Sequence, residues 1–219
     1  RRCQSILSEG RCWSLHGCPF ERKPGIRFKH LKRVTVFTNS NEKRIRIHMN
    51  IRTMIAVCAA KSAGFVCRKM GRQGVTWAGK IALKINPHIL EDLSAQVREK
   101  IFVTCGTNGK TTTNNMLCAA LEQEGKKVVC NHTGSNMLNG VVAAFVLAAG
   151  PTGKLDADYA CIEVDEASTR HVFPRIKPDY MLLTNLFRDQ LDRYGEIDIT
   201  MNILEEMIRS VPKLQVIVN

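Results

Sequence analysis

The segment Ile101-Phe-Val-Thr-Cys-Gly-Thr-Asn-Gly-Lys-Thr-Thr-Thr113 constrains the fold more than any other part of the chain. It runs from apolar, β-favouring residues into a loop bracketed by Gly106 and Gly109, then into a lysine and three threonines. Asn114 to Glu124 follows with Met116, Leu117, Ala120 and Leu121 on one side, a helical spacing. A strand, a glycine turn and a helix in that order aim backbone N–H groups and a helix N-terminus at one point, as a bound phosphate requires. In such a loop Lys110 reaches the terminal phosphates and the Thr111 hydroxyl ligates Mg²⁺. The generic pattern has its first glycine five positions before Gly109. Here that residue is Thr104, and a glycine stands at Gly106 instead. The competing reading is a plain glycine turn before an ordinary helix, and the context of Gly-Lys-Thr favours the phosphate loop.

A chain of 219 residues can bury one good core with a small appendage. Its formal charge of +12 would point to nucleic acid or a membrane surface if it were evenly spread. Residues 1–48 hold 12 Lys/Arg against 3 Asp/Glu, a net +9, which leaves +3 for residues 49–219. A near-neutral body behind a basic leader does not make nucleic acid the expected partner. The nine cysteines show no Cys-x₂-Cys spacing and are odd in number, so they read as buried thiols in a reducing compartment. A zinc site is not expected within this stretch.

Residues 1–48 lack a sustained period, and Met49-Asn-Ile-Arg52 resembles a bacterial start. This leader is expected to be non-native or disordered, with a basic binding tail as the alternative. Residues 49–99 are expected to form a helical, glycine-rich segment, with a helix over Ile51–Met70 and a glycine-punctuated turn over Gly71–Gly79. Lys61, Arg68, Lys69, Arg72 and Lys80 gather around that turn, either as a solvated basic face or as a phosphate or polyprenyl-diphosphate contact. A short helix over Ile89–Arg98 leads into the core strand. Residues 100–219 then alternate strands and helices. The strands are expected at Lys127–Asn131, Tyr159–Asp165, Asp179–Thr184 and Leu214–Val218, with helices at Asn139–Ala149 and Asp198–Arg209. This alternation predicts an α/β fold with a mostly parallel sheet covered by helices. The chain ends directly after a core strand, and is therefore expected to be part of a longer protein. Nothing reaches transmembrane length.

Three loops at carboxyl ends of predicted strands carry the chemistry. The first is the phosphate loop. The second is Glu163-Val-Asp-Glu166, where a strand delivers carboxylates beside the phosphates to hold a hard cation. Alternation puts Glu163 and Asp165 on one strand face, so at least one is expected at the metal. The third is Thr184-Asn-Leu-Phe-Arg-Asp-Gln-Leu-Asp-Arg-Tyr-Gly195, dense in polar residues, which otherwise reads as a surface turn. The polar run Asn131-His-Thr-Gly-Ser-Asn136 also lies at a strand's carboxyl end, the edge where α/β proteins hold ligands. His132 and His171 stand as candidate bases or as structural histidines.

Gly106-Thr-Asn-Gly-Lys-Thr-Thr112, Glu163-Val-Asp-Glu-Ala167 and Thr184 to Gly195, in that order, resemble the central ATP-binding domain of the Mur ligases over about residues 49–219. Within that family they look most like the lipid II isoglutaminyl synthase branch. The resemblance implies ATP and Mg²⁺, bound by Gly106, Thr107, Asn108, Gly109, Lys110, Thr111, Thr112 and Asn185. It gives catalytic roles to Lys110 and Glu163 and metal contacts to Thr111, Glu163 and Gln190. Gln190 stands where the wider family has a histidine, in Asp189-Gln-Leu-Asp192, and this departure points to the amidating branch. The carbamylated lysine of several members has no counterpart, since Asp198 to Met207 contains no lysine.

The implied reaction is ATP-dependent amidation of the D-glutamate α-carboxylate of lipid II to D-isoglutamine. It proceeds through an acyl phosphate, with ammonia from a glutaminase subunit of the GatD type. The implied location is the cytoplasm, at the inner face of the membrane. A four-cysteine zinc ribbon and a C-terminal domain in full-length members have no match here, so this stretch alone is expected to fall short of the full reaction. Three alternatives stay open: an amino-acid-adding ligase of the muramyl-peptide or folylpolyglutamate type, a non-catalytic nucleotide-binding fragment, and a nucleotide-dependent nucleic-acid or regulatory module suggested by the basic leader.

Overall fold

The computed structural model describes residues 51–69, 74–186 and 196–218. The expected leader at 1–48, Arg72 and Gln190 lie outside them. Three helices come first, α1 (Ile51–Lys69), α2 (Gly74–Ile85) and α3 (Ile89–Ser94). Strands and helices then alternate: β1 (Lys100–Cys105), α4 (Lys110–Gln123), β2 (Val128–Cys130), α5 (Leu138–Ala148), β3 (Tyr159–Glu163), α6 (Thr169–Ile176), β4 (Tyr180–Leu183), α7 (Glu196–Ser210) and β5 (Gln215–Val218).

The five strands form one sheet in the order β2-β3-β1-β4-β5, and every pairing is parallel. The first crossover steps one way across the sheet, from β1 to β2, and the later ones step the other way. Right-handed connections therefore put α4 on one face and α5, α6 and α7 on the other. The carboxyl end of β1 is where the direction reverses, the position at which open α/β sheets form a crevice.

The face under α5 and α6 is the main core. Alternation sends Val103 and Cys105 of β1, Ala160 and Ile162 of β3 and Met181 of β4 to this side, all fully buried. Phe145 of α5 and Phe173 of α6 are its largest buried side chains. α2 packs across α5, and α1 packs on α2. Lys61 of α1 donates to the Ala149 carbonyl just past α5, and the Lys80 ammonium lies 5.4 Å from the Trp77 ring centroid. Lys61 and Lys80 thus have contacts within the fold, and the side chains of Arg68, Lys69 and Arg72 lie outside the described ones.

On the α4 face, Phe102 stacks on Tyr180 with ring centroids 5.0 Å apart. Asn114, fully inside, donates to the Cys161 carbonyl at 3.1 Å and to Cys130 Sγ at 3.2 Å, which ties α4 to β3 and β2. At the opposite, amino-terminal end of the strands, Arg98 pairs with Asp158 at 2.6 Å and with Asp156 at 2.5 Å. Lys127 reaches the same Asp156.

Several boundaries differ from the sequence reading. The expected turn over 71–79 is helical from Gly74 onward. A Cβ on Gly79 would lie 1.8 Å from the Asn139 carbonyl oxygen, so this glycine marks the close crossing of α2 over the start of α5. The phosphate-loop helix starts at Lys110, four residues before the expected Asn114. α3 ends at Ser94 rather than Arg98, and β3 ends at Glu163 rather than Asp165. α6 was not anticipated.

Candidate functional site

The loop after β1 is shaped by two glycines with positive φ, Gly106 at +130° and Gly109 at +81°. Gly106 allows a close approach: a Cβ there would stand 2.3 Å from Thr184 Oγ1 and 2.7 Å from the Asn185 carbonyl oxygen. Gly109 is the residue before α4, and the Thr113 amide is the one that bonds back to its carbonyl, at 2.9 Å. The N–H groups of Lys110, Thr111 and Thr112 precede that first helical bond and have no partner within the helix.

The segment after β4 braces this loop. Thr107 N–H donates to the Asn185 carbonyl at 2.8 Å, and Asn108 N–H donates to Asn185 Oδ1 at 2.9 Å. Asn185 Nδ2 and Thr184 Oγ1 both donate to the Asn108 carbonyl, at 3.0 and 2.8 Å. Asn185 is therefore a clamp on the loop backbone. Thr184 and Asn185 are both at the carboxyl end of β4, in register with the end of β1.

Two acids, one at the end of β3 and one just beyond it, reach the loop from the other side. Glu163 is the last residue of β3 and is only 2% exposed. It accepts a 2.6 Å hydrogen bond from Thr111 Oγ1 and a 3.0 Å bond from Asn136 Nδ2. Its backbone is held by Asn131, which accepts from Glu163 N–H and donates to its carbonyl, both at 2.8 Å. Glu166 takes the Gly106 N–H at 2.9 Å and the Lys110 ammonium at 3.3 Å. Lys110 also donates to the Gly106 carbonyl at 2.5 Å, so its head lies back over the loop.

The structure thus brings Lys110, Thr111 and Glu163 together, with Asn185 behind the loop. Asp165 is not with them. The strand ends before it, and its carboxylate instead accepts from Ser168 N–H and Oγ at the start of α6. His171 lies on the exposed side of α6, and His132 faces α4 through Asn115. Glu166, Asn131, Asn136 and Thr184 were not assigned as site residues from sequence. Glu166 stood in the acidic run and the asparagines in the polar run after β2, but nothing in a single sequence says which residue turns inward. The Cys105 thiol next to the loop is fully buried and burial pushes it up, which keeps it protonated and out of nucleophilic chemistry.

Hard oxygen donors dominate the point where Thr111 and Glu163 meet. A hydroxyl and a carboxylate 2.6 Å apart, beside a lysine and the start of a helix, fit a small divalent cation with a polyphosphate. The narrow approach at Gly106, which a side chain would block, fits the same ligand.

A profile of the Mur ligase middle domain matches residues 103–219, just over half of the chain. The chain belongs to the Mur ligase family. The two motifs that frame the site in this Mur ligase domain, Gly106–Thr113 and Glu163–Glu166, both fall within the matched region. The chain is 38% identical over 172 residues to the lipid II isoglutaminyl synthase (glutamine-hydrolyzing) subunit MurT of Streptococcus pneumoniae, which covers 78% of this chain and 37% of that protein. It is 39% identical over 158 residues to MurT of Staphylococcus aureus, covering 72% of this chain and 35% of the relative. The chain therefore spans little more than a third of the length of these curated relatives. A UDP-N-acetylmuramate–L-alanyl-gamma-D-glutamyl-meso-2,6-diaminoheptandioate ligase of Haemophilus influenzae is 28% identical over 133 residues, 58% of this chain and 26% of that protein. Among solved structures, MurF from Acinetobacter baumannii superposes with a TM-score of 0.47 at 16% identity, over 64% of this chain and 34% of that one.

Proposed function

We propose that this chain is the ATP-binding part of a ligase of peptidoglycan synthesis that amidates the D-glutamate α-carboxylate of lipid II. The 2.6 Å contact between Thr111 Oγ1 and Glu163 Oε2, with Lys110 on the same loop, is the observation that carries the reading. The first-turn N–H groups of α4 and the Lys110 ammonium bind the phosphates of ATP. Thr111 and Glu163 hold Mg²⁺, and Asn136 keeps the Glu163 carboxylate turned toward Thr111. Mg²⁺ supplies charge neutralisation on the phosphates when bound. Glu166 orients Lys110 and, through the Gly106 N–H, fixes the start of the loop.

The chemistry balances as a ligase reaction. The α-carboxylate oxygen attacks the γ-phosphorus, forming an acyl phosphate and releasing ADP. Ammonia then attacks the acyl carbon and inorganic phosphate leaves, giving D-isoglutamine. Lys110 offsets the charge that develops on the transferring phosphoryl group, a contribution of about 3–4 kcal/mol where such a group is preorganised. Ammonia comes from a glutaminase partner of the GatD type, and a lipid II substrate puts the reaction at the inner face of the membrane. Among the described residues no helix is long and apolar enough to cross a membrane.

The amino-acid-adding ligases are the second reading, because they share the loop. The higher identity to the glutamine-hydrolyzing synthase subunits, over a longer part of the chain, favours amidation. The full protein is assayed with Mg·ATP and lipid II, with either ammonium or free amino acids as the nitrogen donor. The amidation reading expects phosphate release and a mass change of one amide with ammonium. Turnover that depends on an amino acid instead overturns it.

A further inference from the structure

Away from the loop, Cys118 of α4, Cys130 at the end of β2 and His132 just beyond it form a cluster that the proposed reaction does not use. The two sulfurs and one imidazole nitrogen all lie within 4.8 Å of one another. Both cysteines are free thiols. Cys118 is fully buried, Cys130 half-buried and His132 exposed, so the cluster opens to solvent on the histidine side. We propose that Cys118, Cys130 and His132 bind a thiophilic divalent cation, Zn²⁺ in the first place, which pins the phosphate-loop helix to the loop after β2.

The local structure explains why these groups meet. Asn114, Asn115 and Cys118 share one face of α4 by their three- and four-residue spacing, and that face lies on β2 and β3. Cys130 points the same way, as its contact with Asn114 Nδ2 shows. The chain then turns at Asn131, which carries His132 back toward α4.

Asn115 serves both ligands. Its Oδ1 lies 3.2 Å from His132 Nδ1 and accepts from the Cys130 thiol at 3.7 Å, and its Nδ2 donates to the His132 carbonyl at 3.4 Å. An amide oxygen against one ring nitrogen is the kind of outer contact that orients a ligating imidazole.

Two sulfurs and one nitrogen are a soft donor set. It suits Zn²⁺ and excludes Mg²⁺, which takes oxygens. A tetrahedral Zn²⁺ holds sulfur and nitrogen ligands about 3.5–3.8 Å apart. The cluster therefore closes by at most about 1.3 Å, within the reach of one side-chain rotation at the exposed histidine. Three protein ligands leave the fourth position to water. Binding releases the two thiol protons, and no oxidation change is involved.

The consequence reaches the nucleotide site through two residues. Asn131 and Asn136, on the same loop as His132, hold the backbone and carboxylate of Glu163. A cation at the cluster fixes the loop that positions this acid.

The test is a titration of the reduced, metal-free full chain with Co²⁺, read by its thiolate charge-transfer and tetrahedral d–d bands, followed by displacement with Zn²⁺. One equivalent is expected in the parent chain. His132→Ala, an exposed position that leaves the fold intact, and Cys130→Ser are each expected to weaken Co²⁺ at least about tenfold. A variant with Cys3, Cys12 and Cys18 all changed to Ser is expected to keep the full signal. No thiolate band in the parent, a band unaltered in His132→Ala and Cys130→Ser, or a band lost with Cys3, Cys12 and Cys18 overturns the proposal.

Discussion

At Gly106 the backbone takes a φ of +130°, which L side chains rarely adopt, and the space where a Cβ would sit belongs to Thr184 and Asn185. Strain and overlap act together there. Gly106→Ala is expected to lower stability by about 1–3 kcal/mol, seen as a fall of several degrees in Tm. It is also expected to weaken nucleotide binding, because the Asn185 clamp on Thr107 and Asn108 is pushed away. Glu163 presents the opposite balance. Its buried carboxyl group is held by neutral donors, Thr111 and Asn136, with no cationic partner among them, a place that fits what it binds rather than stability. Glu163→Gln is expected to leave Tm unchanged or raised while shifting the Mg²⁺ requirement for nucleotide binding upward at least about tenfold. A fall in Tm with an unaltered Mg²⁺ requirement would count against a metal role. Lys110 and Thr111 could be placed side by side from the phosphate-loop spacing, whereas alternation left Glu163 and Asp165 open and only the family resemblance singled out Glu163. Glu166 and Asn136 were not legible, because their roles depend on how two loops fold over β1.

Among the elements, the strands and their order of alternation with helices could be read from apolar runs and glycine stops. Two elements could not. α2 was hidden by its glycines, which look like turn residues until Gly79 is seen against the Asn139 carbonyl. Gly79→Leu is accordingly expected to force α2 off α5 and cost more than about 2 kcal/mol, measured by denaturant unfolding. α6 has only eight residues and carries Pro174 inside, so its propensity is poor. Its signal was the spacing of Thr169, Val172, Phe173 and Ile176, all buried and all on one face. Phe173→Ala removes one of the largest core side chains and is expected to cost about 3–5 kcal/mol. Early placement of the α4 start at Lys110 rather than Asn114 also has a plain cause. Threonines at 111–113 have low helix propensity, and the loop geometry overrides it.

At the scale of the molecule, the two ends of the parallel sheet have different work. The carboxyl ends gather the loop, Glu163, Glu166 and Asn185, while the amino ends are tied by ion pairs around Asp156 and Asp158. Hydrogen bonds from Lys127 and Arg98 hold the Asp156 carboxyl down at about 2. A depressed carboxylate contributes stability above its unfolded value of about 3.9, and that contribution is lost as pH falls through about 2. Asp156→Asn is therefore expected to flatten the fall of Tm between about pH 4 and pH 2 without moving the site, and an unchanged acid limb would contradict the pairing. The central claim is that the Gly106–Thr113 loop with Glu163 binds Mg·ATP. Isothermal titration of the full chain with Mg·ATP, beside Lys110→Ala, tests it most directly. One site per chain is expected, with affinity lowered about a hundredfold or more in Lys110→Ala at an unchanged Tm. Equal affinity in the two proteins, or no binding by the folded parent chain, would contradict the account.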